Sequence, residues 1–267
     1  MQLRAVAGEA TRRHLGLAPR LVGAATDAKA GEFPYQVSLR VHGRHKCGGA
    51  LLSRRWLVTS AHCISKHDLG SFTVVLGSNS LVSGGVAYHA REARLHPRYD
   101  SRDHRHDVAL VGLGEPGAAY TPDVRPVGLP WRGDDDMAPE LALTGWPSDR
   151  YNEQQQGNNA SYSMSGHYQL KVMRVPVVGI DECRVAFPSV TASNICTLSP
   201  VLGQGTCYGD AGSPLVAHGI LYAIASWGVP CGMGYPDVHT RIYDQIDWLE
   251  DFVDEGDGRD AQLADGL

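Results

Sequence analysis

Three short segments of the chain carry side chains that could act together in nucleophilic chemistry. Residues 59–63 (TSAHC) place His62 beside a cysteine at the end of a strand-like run. Residues 106–110 (HDVAL) place Asp107 at the start of an apolar strand, and residues 209–214 (GDAGSP) form a tight turn. An imidazole can remove a proton from a nucleophile, and a buried carboxylate can fix the imidazole tautomer and balance its charge. Each segment alone is weak evidence, because a lone His, a strand-opening Asp and a Gly/Asp/Gly turn are most often structural.

The elements that would position these segments are short β-strands. Apolar and polar residues alternate over residues 35–41. Further strand candidates are residues 56–59, 72–76, 108–113, 141–144, 169–178, 215–216 and 220–226. This pattern predicts an antiparallel barrel or sandwich. A three-to-four spacing near the C-terminus predicts one closing amphipathic helix. Its apolar residues are Ile242, Ile246, Leu249 and Val253.

The charge balance excludes two classes of partner. The chain has 267 residues with 24 Lys+Arg against 29 Asp+Glu, a net charge of −5, and no Lys/Arg stripe. It therefore has no cluster of positive charge that would attract nucleic acid or anionic lipid. No window approaches the run of about 18 apolar residues that a membrane helix requires, so we expect no membrane partner. The sequence carries no signal for an oligomer.

The two ends of the chain differ from the rest in composition. Residues 1–20 contain four Arg that interrupt the apolar positions. They predict a leader without a signal-peptide core, or the remainder of a pro-segment. Residues 254–267 are acidic and contain glycines, which predicts a flexible tail.

The cysteines form an even set of six, with no CxxC or Cys/His spacing suited to zinc. They are Cys47, Cys63, Cys183, Cys196, Cys207 and Cys231. Disulfides are therefore expected, and neighbours in the sequence would close short loops. Disulfides indicate an oxidising compartment and a secreted protein. The alternative is a cytosolic protein with six buried thiols.

In the order His, Asp, Gly-Asp-x-Gly, the three segments resemble the chymotrypsin-like serine proteases, and the pattern is similar to arthropod digestive chymotrypsins in particular. The resemblance extends from about residue 21 to about residue 253. It also includes residues 33–39 (FPYQVSL), 47–51 (CGGAL), 144–146 (TGW) and 226–228 (SWG).

The resemblance implies an all-β fold of two packed six-stranded antiparallel β-barrels with a C-terminal helix and a site in the cleft between the barrels. Its parts would be a first barrel over about 21–125, a linker at 126–139, a second barrel over about 140–240 and a closing helix at 241–253. The cysteines would pair as Cys47–Cys63, Cys183–Cys196 and Cys207–Cys231, in agreement with their order in the sequence.

The resemblance assigns the proton acceptor to His62 and the orienting carboxylate to Asp107. The nucleophile position of the Gly-Asp-Ser-Gly motif falls on Ala211, whose methyl group cannot attack a carbonyl. Ser213 lies two residues further along a tight turn, where a hydroxyl points in another direction, so we do not expect it to substitute. The amides of Gly209 and Ala211 match the oxyanion hole, which does not depend on the missing hydroxyl.

The substrate-binding residues implied by the resemblance are Gly205, Tyr208, Ser226, Trp227, Gly228 and Asp237. Residues 226–228 match the strand that pairs with substrate backbone. Gly205 would form the base of the specificity pocket, with Tyr208 and Gly228 at its entrance. Asp237 would form the back wall, where mammalian chymotrypsins have Gly. A buried carboxylate needs a partner, so the pocket could admit Arg or Lys as well as aromatic side chains. Alternatively, Asp237 is hydrogen-bonded to the pocket wall and has no electrostatic effect.

Arg20 and Leu21 resemble an activation junction, at which a protease would cleave and free a new amino terminus to pair with Asp210. The chain as written would then be a zymogen. Asn159 begins a glycosylation sequon (NAS). The resemblance implies peptide or protein substrates and protease inhibitors as the other partners, no cofactor, and a monomer by default.

His104 and His106 flank Arg105 just before Asp107. Together they could bind a metal ion. A solvated loop is the simpler interpretation, so we expect no metal site.

Three functions remain open. In the first, the chain is an inactive protease homologue that binds peptides or inhibitors in an intact cleft. In the second, it is an active secreted endopeptidase of digestive type whose Ser was replaced artificially by Ala211. In the third, it is a binding module that uses the barrel surface. Retention of His62 and Asp107 favours a recent or artificial loss, and we favour the natural inactive homologue.

Overall fold

The computed structural model describes residues 25–133, 137–147 and 168–253, together with the backbone of two strands at 150–151 and 162–163. Arg20, Leu21 and Asn159 lie outside the described residues, as do the leader and the acidic tail. Among the described helices, none is long and apolar enough to cross a membrane.

Short strands make up most of the described chain. They are β1 (Thr26–Asp27), β2 (Gln36–Val41), β3 (Arg44–Leu51), β4 (Trp56–Thr59), β5 (Phe72–Leu76), β6 (Val86–His89), β7 (Glu92–Leu95), β8 (Ala109–Gly112), β9 (Glu140–Gly145), β10 (Arg150–Tyr151), β11 (Tyr162–Ser163), β12 (Lys171–Val178), β13 (Asn194–Thr197), β14 (Pro214–Ala217), β15 (Ile220–Gly228) and β16 (Asp237–Arg241). The described helices are α1 (Ala61–Ile64), α2 (Ile180–Ala186) and α3 (Ile246–Glu250), with 3-10 turns at Leu69–Ser71 and Tyr243–Gln245. The predicted β architecture with a short C-terminal helix is confirmed.

Six strands of the second half close into an antiparallel barrel. Their order is β12-β13-β16-β15-β14-β9, and β9 pairs again with β12 to complete the ring. The register sets Leu143 of β9 opposite Met173 on one side and Leu215 on the other. Because side chains alternate across a strand, these apolar residues share the barrel interior. All three are buried in one cluster that fills it.

The first half forms a seven-stranded sheet in the order β6-β5-β2-β3-β4-β8-β7. Its two outer strands, β6 and β7, are separated in the chain by Ala90 and Arg91 alone. The amide of Ala90 donates to Phe72 O of β5 at 3.4 Å, and that of Arg91 donates to Gly112 O of β8 at 2.8 Å. One run of chain thus borders both ends of the sheet, and the sheet curls on itself.

The two sheets pack against each other through a shared apolar cluster. Val58 of β4 and Leu110 of β8 meet Val216 of β14 and Ile224 of β15 in it. The C-terminal segment adds Ile242 and, from α3, Leu249. Both side chains are fully buried, so the apolar stripe predicted near the C-terminus stabilises the interface between the sheets.

The three disulfides expected from the resemblance are present, and each joins two elements. They are Cys47–Cys63, Cys183–Cys196 and Cys207–Cys231. The first connects β3 to α1, and the second connects α2 to β13. The third connects the two loops that flank β14 and β15.

Some elements of the structure were not predicted from the sequence, among them α2, β13 and β16. In α2, Cys183 is the buried residue, so this short helix carries no apolar stripe that a periodicity search can detect. β13 and β16 are four and five residues long, and β16 carries polar residues on its buried positions. Within the predicted linker at 126–139, Val127 N donates to Leu51 O and Leu221 N donates to Gly128 O. The described part of this segment is therefore hydrogen-bonded to both sheets.

We expect Ile242→Ala to lower the free energy of unfolding by about 2–5 kcal/mol, because it opens a cavity between the two sheets. Val185→Ala is the matched control, since Val185 is 87% exposed on α2 and an exposed substitution changes stability by about 0.5 kcal/mol or less. Denaturant titration with the disulfides intact measures both values. Equal losses in the two variants would contradict the assigned role of Ile242.

Candidate functional site

The pairing of β4 with β8 brings His62 and Asp107 together. These strands are antiparallel, with Thr59 opposite Ala109, so the end of β4 lies beside the start of β8. His62 follows the first strand and Asp107 precedes the second. His62 donates its backbone N–H to Asp107 Oδ1 at 2.9 Å, and its Nδ1 lies 2.7 Å from Asp107 Oδ2. Because a carboxylate only accepts hydrogen bonds, the Nδ1 atom carries the proton, which leaves Nε2 as the acceptor in a neutral ring.

Asp107 is fully buried and is held by residues of both sheets. The Ser226 hydroxyl of β15 donates to Asp107 Oδ2, and Thr240 Oγ1 of β16 donates to the Asp107 carbonyl oxygen at 3.0 Å. Burial alone would raise the pKa of the Asp107 carboxyl, but the charge of His62 and the polar contacts of His104, His62 and Ser226 outweigh it and hold that pKa below its ordinary value. The carboxylate is therefore ionised and can support a positive charge on His62.

The turn at 209–214 packs directly on the end of β4. Gly48 N donates to Ala211 O at 2.8 Å, and Gly212 N donates to Ala225 O at 2.8 Å. Gly212 has φ +77°, and a Cβ placed on it would collide with Thr59 Oγ1 and lie 2.6 Å from Gly48 O. Glycine permits both the left-handed backbone and this close approach. The structure thus brings together the three segments singled out in the sequence.

The Ser213 hydroxyl points away from this site. Ser213 is fully buried, and its Oγ has no hydrogen-bond partner among the described residues. A Cβ on Gly48 would collide with Ser213 Oγ, and one on Gly145 would lie 3.1 Å from it. The hydroxyl therefore lies between β3 and β9. Ala211, which is partly buried, packs its methyl group against the cluster that contains Ala61 and Cys63.

His45 holds the first peptide of the turn and was not singled out in the sequence. Its Nε2 lies 3.0 Å from Gly209 O, and its Nδ1 lies 2.9 Å from Ser38 Oγ. Burial lowers the pKa of His45 to about 4, so the ring is neutral near pH 7. Since a carbonyl oxygen only accepts, Nε2 donates to Gly209 and Nδ1 accepts from the Ser38 hydroxyl. His45 lies within β3, and nothing in the sequence around it indicates this contact.

Asp237 lies between the two glycines expected to line a pocket. A Cβ on Gly205 would lie 2.7 Å from Asp237 Oδ2, and one on Gly228 would lie 3.4 Å from Oδ1. Thr206 donates its backbone N–H to Oδ2 at 2.8 Å and its hydroxyl to Oδ1 at 2.6 Å. Burial raises the pKa of Asp237 to about 6, against the opposing effect of the Thr206 bonds. The group is therefore hydrogen-bonded to its surroundings and also titrates near neutral pH.

Two other expected binding residues, Trp227 and Tyr208, are partly buried. Trp227, partly buried on β15, contacts Phe187 edge to face at 5.0 Å between ring centroids. Tyr208 is partly buried just before the turn.

Asp210, expected to pair with a new amino terminus, is fully buried and accepts the amide of Cys207 on Oδ2 at 3.0 Å. Its Oδ1 has no hydrogen-bond partner among the described residues, and burial raises the pKa of this carboxyl well above its ordinary value.

These contacts define what the described site can do chemically. His62 Nε2 can accept a proton, and the ionised Asp107 can stabilise the resulting imidazolium. Asp237 can pair with a cation above about pH 6. The residue that follows Asp210, where the turn meets the His62 segment, is an alanine without a hydroxyl.

Comparison with known proteins gives one family. The family described as Trypsin matches residues 23–249. Chymotrypsin-2 of Vespa crabro is 36% identical over 228 residues, which cover 84% of this chain and 96% of that protein. Trypsin II-P29 of Gallus gallus is 31% identical over 225 residues, which cover 82% of this chain and 84% of that protein.

We expect Gly212→Ala to destabilise the protein more than Gly43→Ala. Both glycines have φ +77°, but a Cβ at Gly43 meets nothing within 4 Å. The two variants therefore share the same backbone strain, and the added cost of Gly212→Ala, about 1–3 kcal/mol, reports the close packing of the turn on β4. Denaturant titration of both variants measures it. Equal costs would mean that the turn does not need this contact.

Proposed function

The chain belongs to the trypsin family of serine proteases, and from this membership we propose that it is an inactive protease homologue that binds peptides or protease inhibitors. The observation that carries the proposal is the combination of a formed His62–Asp107 pair with a methyl group at Ala211. The cleft between the two sheets keeps its base and its binding groups and lacks a nucleophile.

Peptide hydrolysis in such a site begins with attack of a hydroxyl oxygen on the scissile carbonyl while His62 Nε2 removes the hydroxyl proton. The Nδ1–H of the resulting imidazolium stays hydrogen-bonded to Asp107. In this chain Ala211 has neither an attacking oxygen nor a proton to give. Ser213 cannot supply them, because its hydroxyl is buried between Gly48 and Gly145. Loss of the nucleophile of a comparable triad costs about 10⁶-fold in turnover, or about 8 kcal/mol of barrier.

Binding does not need the missing hydroxyl. We assign the amides of Gly209 and Ala211 to the oxyanion hole, and the His45 bond to Gly209 O supports this by fixing the first peptide of the turn. The backbone of residues 226–228 would pair with an extended peptide as an added strand. These interactions would hold a peptide carbonyl beside Ala211 without cleaving it.

The second candidate function is an active endopeptidase whose Ser was replaced artificially. The formed His62–Asp107 pair favours it, because selection would no longer preserve the His62 imidazole once turnover is lost. A natural coding sequence with a serine codon at position 211 would establish this alternative, and an alanine codon would exclude it.

Activation would follow cleavage after Arg20. The buried Asp210 supports this, since one of its oxygens has no partner among the described residues and a buried carboxylate is stabilised by a cation. The new ammonium group of Leu21 would supply that cation and order the turn. The chain as written would then be the zymogen, and its three disulfides favour secretion.

We expect Ala211→Ser, in protein cleaved after Arg20, to raise turnover of peptide substrates by about 10⁶-fold. Assays with an aromatic or a basic residue before the scissile bond measure it. The double variant Ala211→Ser/His62→Ala is the control and should lose the gain. Protease-level turnover in the unmodified chain would contradict the proposed loss of activity. A folded, cleaved Ala211→Ser variant without turnover would contradict the claim that the cleft is otherwise intact.

We propose that Asp237 makes the pocket prefer a cationic side chain. A carboxylate with a raised pKa of about 6 is ionised above that pH and protonated below it. In the cleaved chain, benzamidinium should therefore bind about tenfold more weakly at about pH 5 than at about pH 7.5, while neutral benzamide should bind equally at both. Calorimetry measures the two affinities. Asp237→Asn should remove the pH dependence, and a dependence that survives this change would assign it to another group.

A further inference from the structure

The two histidines that flank Arg105 have different surroundings. His106 Nδ1 lies 3.2 Å from Gln245 Oε1, and its ring stacks on His96 at 4.6 Å between centroids. His104 instead faces the His62–Asp107 pair. Its ring meets the His62 ring edge to face at 5.4 Å, and its Nδ1 lies 3.6 Å from Asp107 Oδ2. The loop therefore directs one imidazole toward the pair and the other away from it.

His104 Nδ1 is a buried nitrogen without a hydrogen-bond partner among the described residues. Its 3.6 Å separation from Asp107 Oδ2 is longer than a hydrogen bond. His104 also has φ +57°, a left-handed backbone conformation that non-glycine residues adopt at a cost and that clusters at functional sites. An imidazole nitrogen that makes no hydrogen bond within the described part of the chain and lies next to a carboxylate and a second imidazole is in a position to bind a transition metal.

We propose that His62, His104 and Asp107 form a zinc-binding site. One ligand atom from each residue lies within 4.8 Å of the other two. Two imidazole nitrogens and one carboxylate oxygen suit Zn²⁺ better than Mg²⁺ or Ca²⁺, which prefer oxygen ligands alone. Three protein ligands leave the fourth tetrahedral position open to water or to an anionic group.

Both separations from the Asp107 oxygen lie close to those of a tetrahedral ion. Ligand atoms about 2.0–2.1 Å from Zn²⁺ lie about 3.3 Å from one another. The separation of His104 Nδ1 from Asp107 Oδ2 is 3.6 Å, and that of His62 Nδ1 from the same oxygen is 2.7 Å. The His62 ring would therefore move outward by about half an ångström. The ion would enter from the imidazole side, because the His62 and His104 side chains are 26% and 33% exposed while Asp107 is buried.

Zinc binding would replace the hydrogen bond between His62 and Asp107. A neutral His62 carries its proton on Nδ1, so coordination at this atom moves the proton to Nε2 through solvent with no net release. A protonated His62 would give up one proton. In either case Nε2 becomes an N–H donor and can no longer accept a proton. The metal would thus be an inhibitor of any hydrolysis that His62 assists, and binding itself does not depend on the proposed function.

The test compares two variants of the same loop. His104→Asn removes the proposed ligand, and His106→Asn is the matched control, since both residues have positive φ and Asn tolerates that conformation. Calorimetric titration of the full chain with Zn²⁺ gives affinity and stoichiometry. Titration with Co²⁺ gives the visible absorption of a four-coordinate site, and Mg²⁺ serves as the negative control.

The expected result is one Zn²⁺ per chain, a four-coordinate Co²⁺ spectrum, and an affinity for Zn²⁺ at least about tenfold weaker in His104→Asn. His106→Asn should stay within about twofold of the unmodified chain. Equal weakening in both variants, no weakening in His104→Asn, or an octahedral Co²⁺ spectrum would overturn the proposal. Since no measurement here uses turnover, failure of this site and failure of the proposed function are separable.

Discussion

The buried carboxylate of Asp107 is the constraint on which the arrangement of the site depends. An unpaired charge in a protein interior costs several kcal/mol, so its partners must be in place when the chain is folded. His62 supplies two of them from the first sheet, and Ser226 supplies one from the closed barrel. Thr240 of the same barrel donates to the Asp107 backbone carbonyl oxygen. The same residue thereby orients the imidazole and fixes how the two sheets meet. The docking of the sheets and the geometry of the site therefore depend on the same residue.

The other two buried acids near the site are in a different electrostatic state. Asp210 and Asp237 both have raised pKa values, because burial is not offset by a cation among the described residues. Asp237 also raises the cost of ionising Asp210. Asp237, with a pKa of about 6, is ionised near pH 7 and gives this part of the site a negative potential that favours positively charged ligands. Asp107 differs because the His62 imidazole lies against it.

Much of this fold could be predicted from local patterns. β4 and β5 match the predicted bounds, because each is a continuous apolar run. β13 and β16 were missed, since their buried positions carry Cys196 and His239. Polar residues of this kind are stabilised by partners distant in sequence, such as Thr197 Oγ1 for His239 Nε2 at 2.8 Å. The spacing of apolar residues along one sequence contains no information about such a contact.

The residues of the site also divide into those that local sequence patterns predict and those that depend on contacts between distant parts of the chain. Ser226 was assigned from the sequence to substrate binding, and the structure adds a hydrogen bond from its hydroxyl to Asp107. His45 and His104 were not assigned to the site, because their contacts are with groups that are brought near them only in the folded chain. His45 meets Gly209 across 164 positions of the chain. Such a pairing follows from the docking of the two sheets, which no local pattern encodes.

The packing of the turn makes position 211 unlike its neighbours. The flanking residues are fixed: Asp210 and Ser213 are fully buried, and Gly212 has no room for a Cβ. Ala211 holds its place through its backbone carbonyl, which accepts the amide of Gly48. A hydroxyl can therefore be gained or lost there while the fold persists. In this scaffold, the chemical reactivity of position 211 is thus separable from the architecture that surrounds it.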